Sequence, residues 1–447
     1  HDMAVLTTEK LSFGSYTLYI SNIEDEQGHF TSDSATFGLG SNGNFGRLVI
    51  NEIMANPIPS NGLPEYEYIE LYNPSADTVF TKGWRIVLND LQLNLPSDTV
   101  LPRTFTLIGG STAMSEMAVF GKTMGVTSFP SLLNDGMLIK LIDGEGNLIS
   151  FASYSSDWYN DDSRSDGGYS LECIDASNIA EGKRNWHACM DELGGTPCKE
   201  NSVVAINPDI TPPKVIYLEV LSEDTIRIAF SEPMDSLTIT DIENYSLSSE
   251  NLGVKKIMLQ GNLYDGVKLI LNNPMELGSF YQLAIGGEIV DFSGNPIEES
   301  TFKIGLPQIP AAGDLVVNEV LFNPYSGGVD FVEIFNNSQK CIDLKNLFLA
   351  NRNTDLSLNG VNPAADTSRL IFPAEYAVIT VNPQQVKQFY YCENEKAFVQ
   401  VSSMASLNSD EGYVVLLNAN MDVVDELHYT EKLHNPIITN VKGVSLE

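Results

Sequence analysis

Gly46-Arg47-Leu48-Val49-Ile50-Asn51-Glu52-Ile53-Met54-Ala55-Asn56-Pro57 returns later in the chain as Gly313-Asp314-Leu315-Val316-Val317-Asn318-Glu319-Val320-Leu321-Phe322-Asn323-Pro324. Working outward, Tyr68-Ile69-Glu70-Leu71-Tyr72-Asn73 returns as Phe331-Val332-Glu333-Ile334-Phe335-Asn336. Leu133-Asn134-Asp135-Gly136 parallels Leu407-Asn408 and Asp410 to Gly412, and an apolar run follows each. Gly168-Tyr169-Ser170-Leu171-Glu172 matches Gly443-Val444-Ser445-Leu446-Glu447. The order holds from Gly46 to Glu172 and again from Gly313 to Glu447, so one domain type occurs twice.

Most apolar runs in both copies are short, rich in β-branched and aromatic residues, and separated by Gly, Asn, Asp and Pro. Asp143-Gly144-Glu145-Gly146-Asn147 is typical of the separators. This punctuation predicts antiparallel β-sandwiches. Each copy carries one helical feature. Ser111 is a candidate cap for Thr112 to Phe120, with Met114, Met117 and Ala118 on one face. Asn382-Pro383 is a cap followed by proline at the first helical position, with Val386, Phe389 and Tyr390 on one face.

Between the copies, Ile226, Ile228 and Phe230 alternate with Arg227 and Ala229. Tyr281, Leu283 and Ile285 alternate with Gln282 and Ala284. Period two marks half-buried strands of a different sandwich, whose start is stiffened by Thr211-Pro212-Pro213. Tyr16-Thr17-Leu18-Tyr19-Ile20, with Asp25 and Gly28, echoes Tyr281 to Ile285 with Asp291 and Gly294. The expected organisation is therefore a string of four units in an all-β chain. Residues 1–45 hold the last strands of a partial Ig-like domain and 46–205 the first copy. Residues 206–307 form an Ig-like domain, and 308–447 the second copy, without its own last strands. A rod of stiffly joined sandwiches, monomeric, is the expectation.

A chain of 447 residues suits several cores. Its 25 basic and 59 acidic residues give a net charge of −34. Such a surface repels phosphate backbones and argues against nucleic-acid binding. It leaves two uses for the acidity, solubility or attraction of cations such as calcium. No run of about 18 apolar residues is present, so membrane insertion is not expected. His1-Asp2-Met3 reads as an added tag residue run, and the chain as a fragment of a longer protein.

Several catalytic signatures are missing: His-Glu-x-x-His, a Gly-x-Ser-x-Gly elbow, and a phosphate loop ending in Gly-Lys-Ser/Thr. His29, His187, His428 and His434 lack metal-ligand spacing. Gly38-Leu39-Gly40-Ser41-Asn42-Gly43 fits the dinucleotide fingerprint in letters, but a strand rather than a helix follows it, so it reads as a linker. The metal candidate is the loop Asp157 to Gly168, where Asp157, Asn160, Asp161, Asp162 and Asp166 supply oxygens of the kind calcium takes. The second copy has nothing comparable at Glu431 to Lys442, and a solvated acidic loop is the competing reading. Trp158 and Tyr159 beside it suit either sugar stacking or a lid over the sandwich end. The kept acids Glu52/Glu319 and Glu70/Glu333 suit a paired-carboxylate enzyme. They lie in strands that read as core, which favours a structural role in accepting hydrogen bonds.

Cys341 and Cys392 both occur in one copy and are both absent from the other, as a disulfide predicts. Among Cys173, Cys189 and Cys198, the preferred pair is Cys189–Cys198, although spacing fixes no connectivity. Asp33-Ser34-Ala35, Asp77-Thr78-Val79, Asp98-Thr99-Val100, Asp224-Thr225-Ile226 and Asp235-Ser236-Leu237 resemble the short O-glycosylation motif of exported Bacteroides proteins.

The repeated unit resembles the lamin-tail domain, an immunoglobulin-like sandwich of nuclear lamins and of many secreted bacterial proteins. The resemblance rests on Asn51-Glu52 and Asn318-Glu319, and on the segments ending at Asn73 and Asn336. It also rests on Trp186 and the tail Gly194-Gly195-Thr196-Pro197-Cys198-Lys199-Glu200-Asn201-Ser202, where Cys198 departs from the usual glycine. Phe230-Ser231-Glu232-Pro233-Met234-Asp235, Asn244-Tyr245-Ser246 and Asp291 to Asn295 resemble the bacterial Ig-like type of surface-layer and adhesin proteins. The resemblances imply an extracytoplasmic bacterial protein, of the Bacteroides kind, that is not an enzyme. It would act as a spacer or adhesion scaffold. A carbohydrate- or protein-binding module using calcium in the acidic loop is the alternative, and a metal-dependent hydrolase is the third class. No cofactor is required, with calcium the one candidate.

Overall fold

The computed structural model describes residues 14–24, 28–39, 45–438 and 440–447. It is all-β, with short helices only, and falls into two compact units. One comprises His1–Pro213, Glu232–Thr238 and Val290–Pro296. The other comprises Lys214–Ser231, Ile239–Ile289 and Ile297–Glu447. Gly40 to Gly43 of the glycine-rich stretch lie outside the described residues, as does Asp25. Among the described residues no helix is long and apolar enough to cross a membrane.

In the first unit, a hairpin of Gly14–Glu24 and Phe30–Leu39 precedes the first copy. That copy opens on the strand Val49–Met54, every residue of which is buried. It lies inside a six-stranded sheet, flanked by Tyr68–Tyr72 and by Leu171–Cys173. A four-stranded sheet built on Gly136–Ile142 and Leu148–Ser155 faces it. The core between the sheets holds Leu48, Ile50, Ile69, Leu71, Ile139 and Trp186, each at most 2 % exposed. Burial of so many branched side chains, at roughly 1.5–3 kcal/mol each, dominates the favourable side of folding. Gly136–Ile142, the apolar run after Leu133 to Gly136, alternates half-buried and buried residues.

The second copy repeats this plan within the second unit. Leu315–Leu321, Phe331–Asn336, Tyr376–Thr380 and Phe398–Gln400 form one sheet. Leu358–Pro363, Phe348–Arg352, Glu411–Leu417 and Val423–Thr430 form the other. The same unit holds the sandwich of different type. Its sheets are Val215–Ser222, Thr225–Phe230, Gly266–Leu271 and Val254–Gln260, and Tyr245–Leu247, Phe280–Ile285 and Ser300–Gly305. Ile226, Ile228 and Phe230 are its buried face, as their alternation predicts.

The helix in each copy has a topological reason. Phe105–Gly110 pairs in parallel with Thr123–Val126, and Tyr376–Thr380 with Phe398–Gln400. Parallel neighbours need a crossover, and the helices Ser111–Met117 and Pro383–Phe389 supply it. Asn382 caps the second as expected, its side chain accepting from Gln385 N at 3.1 Å. The first differs from expectation: Gly110 is the cap position, Ser111 lies inside the helix, and Ala118 follows its end, exposed. Without a Cβ, Gly110 leaves the cap to backbone geometry alone.

Candidate functional site

The repeated Asn-Glu pair sits at a kink. In both copies the register of the first two strands slips there, between Ile50 and Glu52 and between Val317 and Glu319. Such a bulge re-aims side chains. It brings Glu52 directly opposite Glu70 on the neighbouring strand, and Glu172 opposite Glu52 on its other side. Three glutamates thus form a row across three strands, and all are fully buried. Like charges facing each other across strands repel, and burial penalises ionisation further. The Glu52 carboxyl is accordingly pushed up to about 7, by burial first and Glu172 second. Burial and Glu52 drive Glu70 well above the usual carboxylate range.

Every member of the row is held by hydrogen bonds from its own chain. Glu52 Oε1 accepts from Tyr68 Oη at 2.9 Å, Ser170 Oγ at 2.6 Å and Thr196 N at 2.8 Å. Its Oε2 is buried without a partner. That oxygen is where the proton of the neutral acid belongs, since Oε1 is already saturated as an acceptor. Glu70 accepts from Asn51 Nδ2 at 2.9 Å and from Cys198 N at 2.5 Å. Glu172 accepts from Thr196 Oγ1 and Ser202 Oγ, each at 2.6 Å. Asn201 locks the arrangement. Its side chain accepts from Asn51 Nδ2 at 2.7 Å, and donates to Asn51 O and Cys173 O at 3.0 and 2.8 Å.

The tail Gly194–Ser202 is therefore a strap laid over the glutamate row. Gly195 fits only as glycine, because a Cβ there would meet Tyr68 Oη, Leu63 Cδ1 and Glu52 Oε1, all inside 3.0 Å. Sequence reasoning missed Glu172 as the third member, although the matched Glu447 was available as a signal. The other repeated asparagine is also structural. Asn73 Oδ1 accepts from Ser75 N and Oγ, and its amide donates to Asp77 O and Val100 O. Asn336 does the same with Ser338, Lys340 O and Ile371 O.

The predicted calcium loop does not converge. Asp157 pairs with Lys183 at 2.8 Å and with Ser155, and Lys183 is the main reason its carboxyl lies below the usual range. Asp161 accepts from Ser163 N and Oγ and meets Arg164 Nε at 3.2 Å. Its pKa is lowered, by Ser163 first. The Asn160 amide donates to Trp158 O and Trp186 O. Asp162 and Asp166 contribute their backbone carbonyls, to Ser165 Oγ and Asn56 Nδ2. Local turn chemistry engages these groups one by one. Trp158 and Tyr159 are buried, Trp158 packing on Trp186 at 5.8 Å, so they close the sandwich end rather than present a sugar platform. Among the described residues, the three-acid group that does converge is Asp209, Glu232 and Asp291, with oxygens within 4.8 Å of one another. Asp291 there organises a turn through Ser293 N, Asn295 N and Asn295 Nδ2.

In the structure Cys189, Cys198, Cys341 and Cys392 are all free. Cys189 Sγ lies beside Asp191 N and Ser202 Oγ, whereas Cys198 is turned onto Gly121 and Lys122 O. Cys341 Sγ faces Gly305 O at 3.7 Å. Burial pushes all three of these thiols up to about 12, which keeps them protonated and unreactive.

The second unit carries a cavity of about 560 Å³ whose lining includes Lys303, Asp366, Arg369, Phe372, Glu375 and Phe398. The Lys303 ammonium stands 4.2 Å from the centre of the Phe372 ring.

The lamin tail domain family matches residues 41–156 and 308–431. No curated protein matches the chain in sequence. Among solved structures, the chain is similar to the N-terminal part of the bacterial S-layer protein SbsC. They share 15 % identity over 38 % of this chain and 44 % of that one, with a TM-score of 0.20. It is also similar to a DUF4876 family protein from Bacteroides thetaiotaomicron, at 14 % identity over 38 % and 64 % of the chains, with a TM-score of 0.17. A third is the Bacteroides ovatus SGBP-B of a mixed-linkage glucan utilization locus, solved with a mixed-linkage heptasaccharide. There the identity is 10 % over 85 % and 77 % of the chains, with a TM-score of 0.14. The chain spans less than half the length of the S-layer structures it matches.

Proposed function

The chain belongs to the lamin tail domain family, and from that premise we propose that it is a non-enzymatic, extracytoplasmic module serving as a structural and interaction scaffold. One observation carries the reading. The polar residues that recur in both copies, Asn51/Asn318, Glu52/Glu319, Glu70/Glu333 and Asn73/Asn336, have their partners inside the fold. A catalytic carboxylate must reach a substrate, and Glu52 and Glu70 are fully buried beneath the strap. What the duplication repeats is thus the means of holding a sandwich together, while the surfaces of the two copies differ.

A broad hydrolase screen tests this. We expect no turnover. Turnover that disappears in Glu70→Gln, with the melting temperature unchanged, would overturn the reading. Protease shaving of intact cells tests the location, with loss of the chain from protease-treated, unpermeabilised cells as the expected result.

A second reading, a carbohydrate- or protein-binding module, is favoured by the cavity beside Lys303 and Arg369. There an aromatic face and groups of both charge signs line one concavity, a combination typical of ligand sites. A glycan array answered by the wild type and lost in Phe372→Ala would support it over a plain spacer.

A further inference from the structure

The cavity of the second unit is walled by strand margins. Val215–Ser222, Ser300–Gly305 and Phe398–Gln400 are each the outermost strand of their sheet, and residues 216–218, 301–303 and 398–400 line the space. Residues 365–370 and Phe372 line most of the rest. These walls are tied to one another. Lys345 Nζ meets Glu219 at 2.6 Å, and Phe280 meets Phe372 edge-on at 5.3 Å. The buried Asp343 fixes the loop that carries Arg369, accepting from Ser368 Oγ at 2.7 Å and from Arg369 N at 3.0 Å. A concavity held in place this way costs little to order around a ligand.

The charge of the lining runs against that of the chain. Lys303, Arg369 and Lys396 stand there with Asp366 and Glu375, whereas the whole chain has 25 basic and 59 acidic residues. Both acids are already engaged. Asp366 accepts from Ser402 N at 2.8 Å and from Ser402 Oγ at 3.2 Å. Glu375 accepts from Phe372 N at 3.0 Å and meets Lys303 at 3.6 Å. Two of the cations are not engaged. Arg369 Nη2 donates to Lys396 O, which keeps the two residues adjacent, and neither has an ion pair among the described residues. A guanidinium carries five N–H donors in a planar fork that matches a carboxylate. Tyr217, Thr301, Thr367 and Gln400 likewise make no side-chain hydrogen bond among the described residues. Beside them Ile216 is 61 % exposed, and Phe302 and Phe398 are half-buried.

On the ground of the binding-module reading, we propose that this cavity takes an acidic sugar, a hexuronate unit of an oligosaccharide, with its carboxylate on Arg369 and Lys396. The two unpaired cations call for a carboxylate. The free hydroxyl and amide groups suit a polyhydroxylated ring, and the apolar patches suit its C–H faces. An extended acidic peptide fits less well, because strand addition needs a regular edge. Here Val215–Ser222 is bulged at Ile216, and Phe398–Gln400 is three residues long, features that blunt an edge. The net charge of −34 repels anions from the rest of the surface, so the attraction is confined to the cavity and weakens with salt.

Isothermal titration of the full chain provides the test, with trisaccharides of galacturonate, glucuronate and mannuronate and with the methyl ester of each, which keeps the ring and removes the charge. At least one uronate should bind saturably, and its ester about tenfold more weakly, the effect of losing charge-assisted hydrogen bonds. Arg369→Ala should weaken the uronate by about tenfold. Lys396→Ala takes away no side-chain hydrogen bond or ion pair among the described residues, so it should weaken the uronate with the melting temperature unchanged. Equal binding of acid and ester overturns the acidic-sugar assignment and leaves a neutral-glycan module standing. Uronate binding that both variants leave intact overturns the site. Binding of tri-glutamate with every uronate silent overturns it in favour of an acidic peptide. Silence of every probe overturns it too, and the glycan array with Phe372→Ala then decides the binding-module reading separately.

Discussion

The first copy and the second copy set the same Asn-Glu pair on the same bulge, and in the first the chain's own strap can be followed over three glutamates. Where the strap is present, the carboxyls are withdrawn from water, one of them is raised to about 7, and a tyrosine hydroxyl joins the network. In the second copy the Asn–Glu hydrogen bond is kept, Asn318 Nδ2 donating to Glu333 Oε1 at 2.8 Å, while Phe331 stands in place of Tyr68 and offers no hydroxyl. The comparison teaches that the repeated glutamates are one half of a fastening whose other half, in the first copy, is the backbone of Thr196 and Cys198. A carboxylate row is tolerable in a core only when neutralised or provided with donors.

Four experiments break or sharpen this comparison, and the tryptophans make them readable. Trp84, Trp158 and Trp186 all belong to the first copy and are buried, so their fluorescence reports its unfolding alone. The largest effect belongs to Gly195→Val, whose side chain has no room above Glu52. It should destabilise the first copy by upward of about 3 kcal/mol, by overpacking and by unmaking buried hydrogen bonds. Urea denaturation followed by tryptophan emission measures it, and an unshifted midpoint would refute the strap.

Next comes pH. The Glu52 pKa is raised on folding, from 4.5 to about 7. The stability tied to its neutral form is fully present below pH 4.5 and is lost as pH rises through 7. Between pH 5 and pH 8 the first copy should weaken by as much as about 3 kcal/mol, and Glu52→Gln should flatten that slope. A smaller step follows from Tyr68→Phe, which gives the first copy the residue of the second. Loss of one hydroxyl donor should cost about 1 kcal/mol and steepen the pH dependence, because that bond favours the charged Glu52. The smallest effect belongs to Asp161→Ala in the acidic loop. Calorimetry should show a melting temperature close to that of the wild type, as for a solvent-screened surface pair, and any calcium response should remain as in the wild type.

Much of the fold was legible because duplication tests each reading twice. Alternation in Thr225–Phe230 and the proline-led helix after Asn382 were readable because local rules and tertiary need agree there. The glutamates were legible as structural, since they interrupt apolar runs. Glu172 escaped notice because Leu171–Cys173 is too short to show a period. The acidic loop was ambiguous for a physical reason: aspartates that close turns on their own backbone have the same composition as calcium loops, and only geometry separates them. The cysteines were ambiguous likewise. Paired presence in one copy says nothing about where each sulfur points, and Cys341 is turned towards Gly305.

The fastening has a consequence in time. Asn51 and Asn201 are 150 positions apart, so the contact that seals the first sandwich is among the last a ribosome can release. Until then the opening strand has its neighbours Tyr68–Tyr72 but no seal, and Glu52 lacks the donor that Thr196 N supplies. Long-range closures of this kind slow folding, because chain entropy is surrendered before the contact forms. The nascent first copy should therefore complete its sheet before Asn201 can lock onto Asn51.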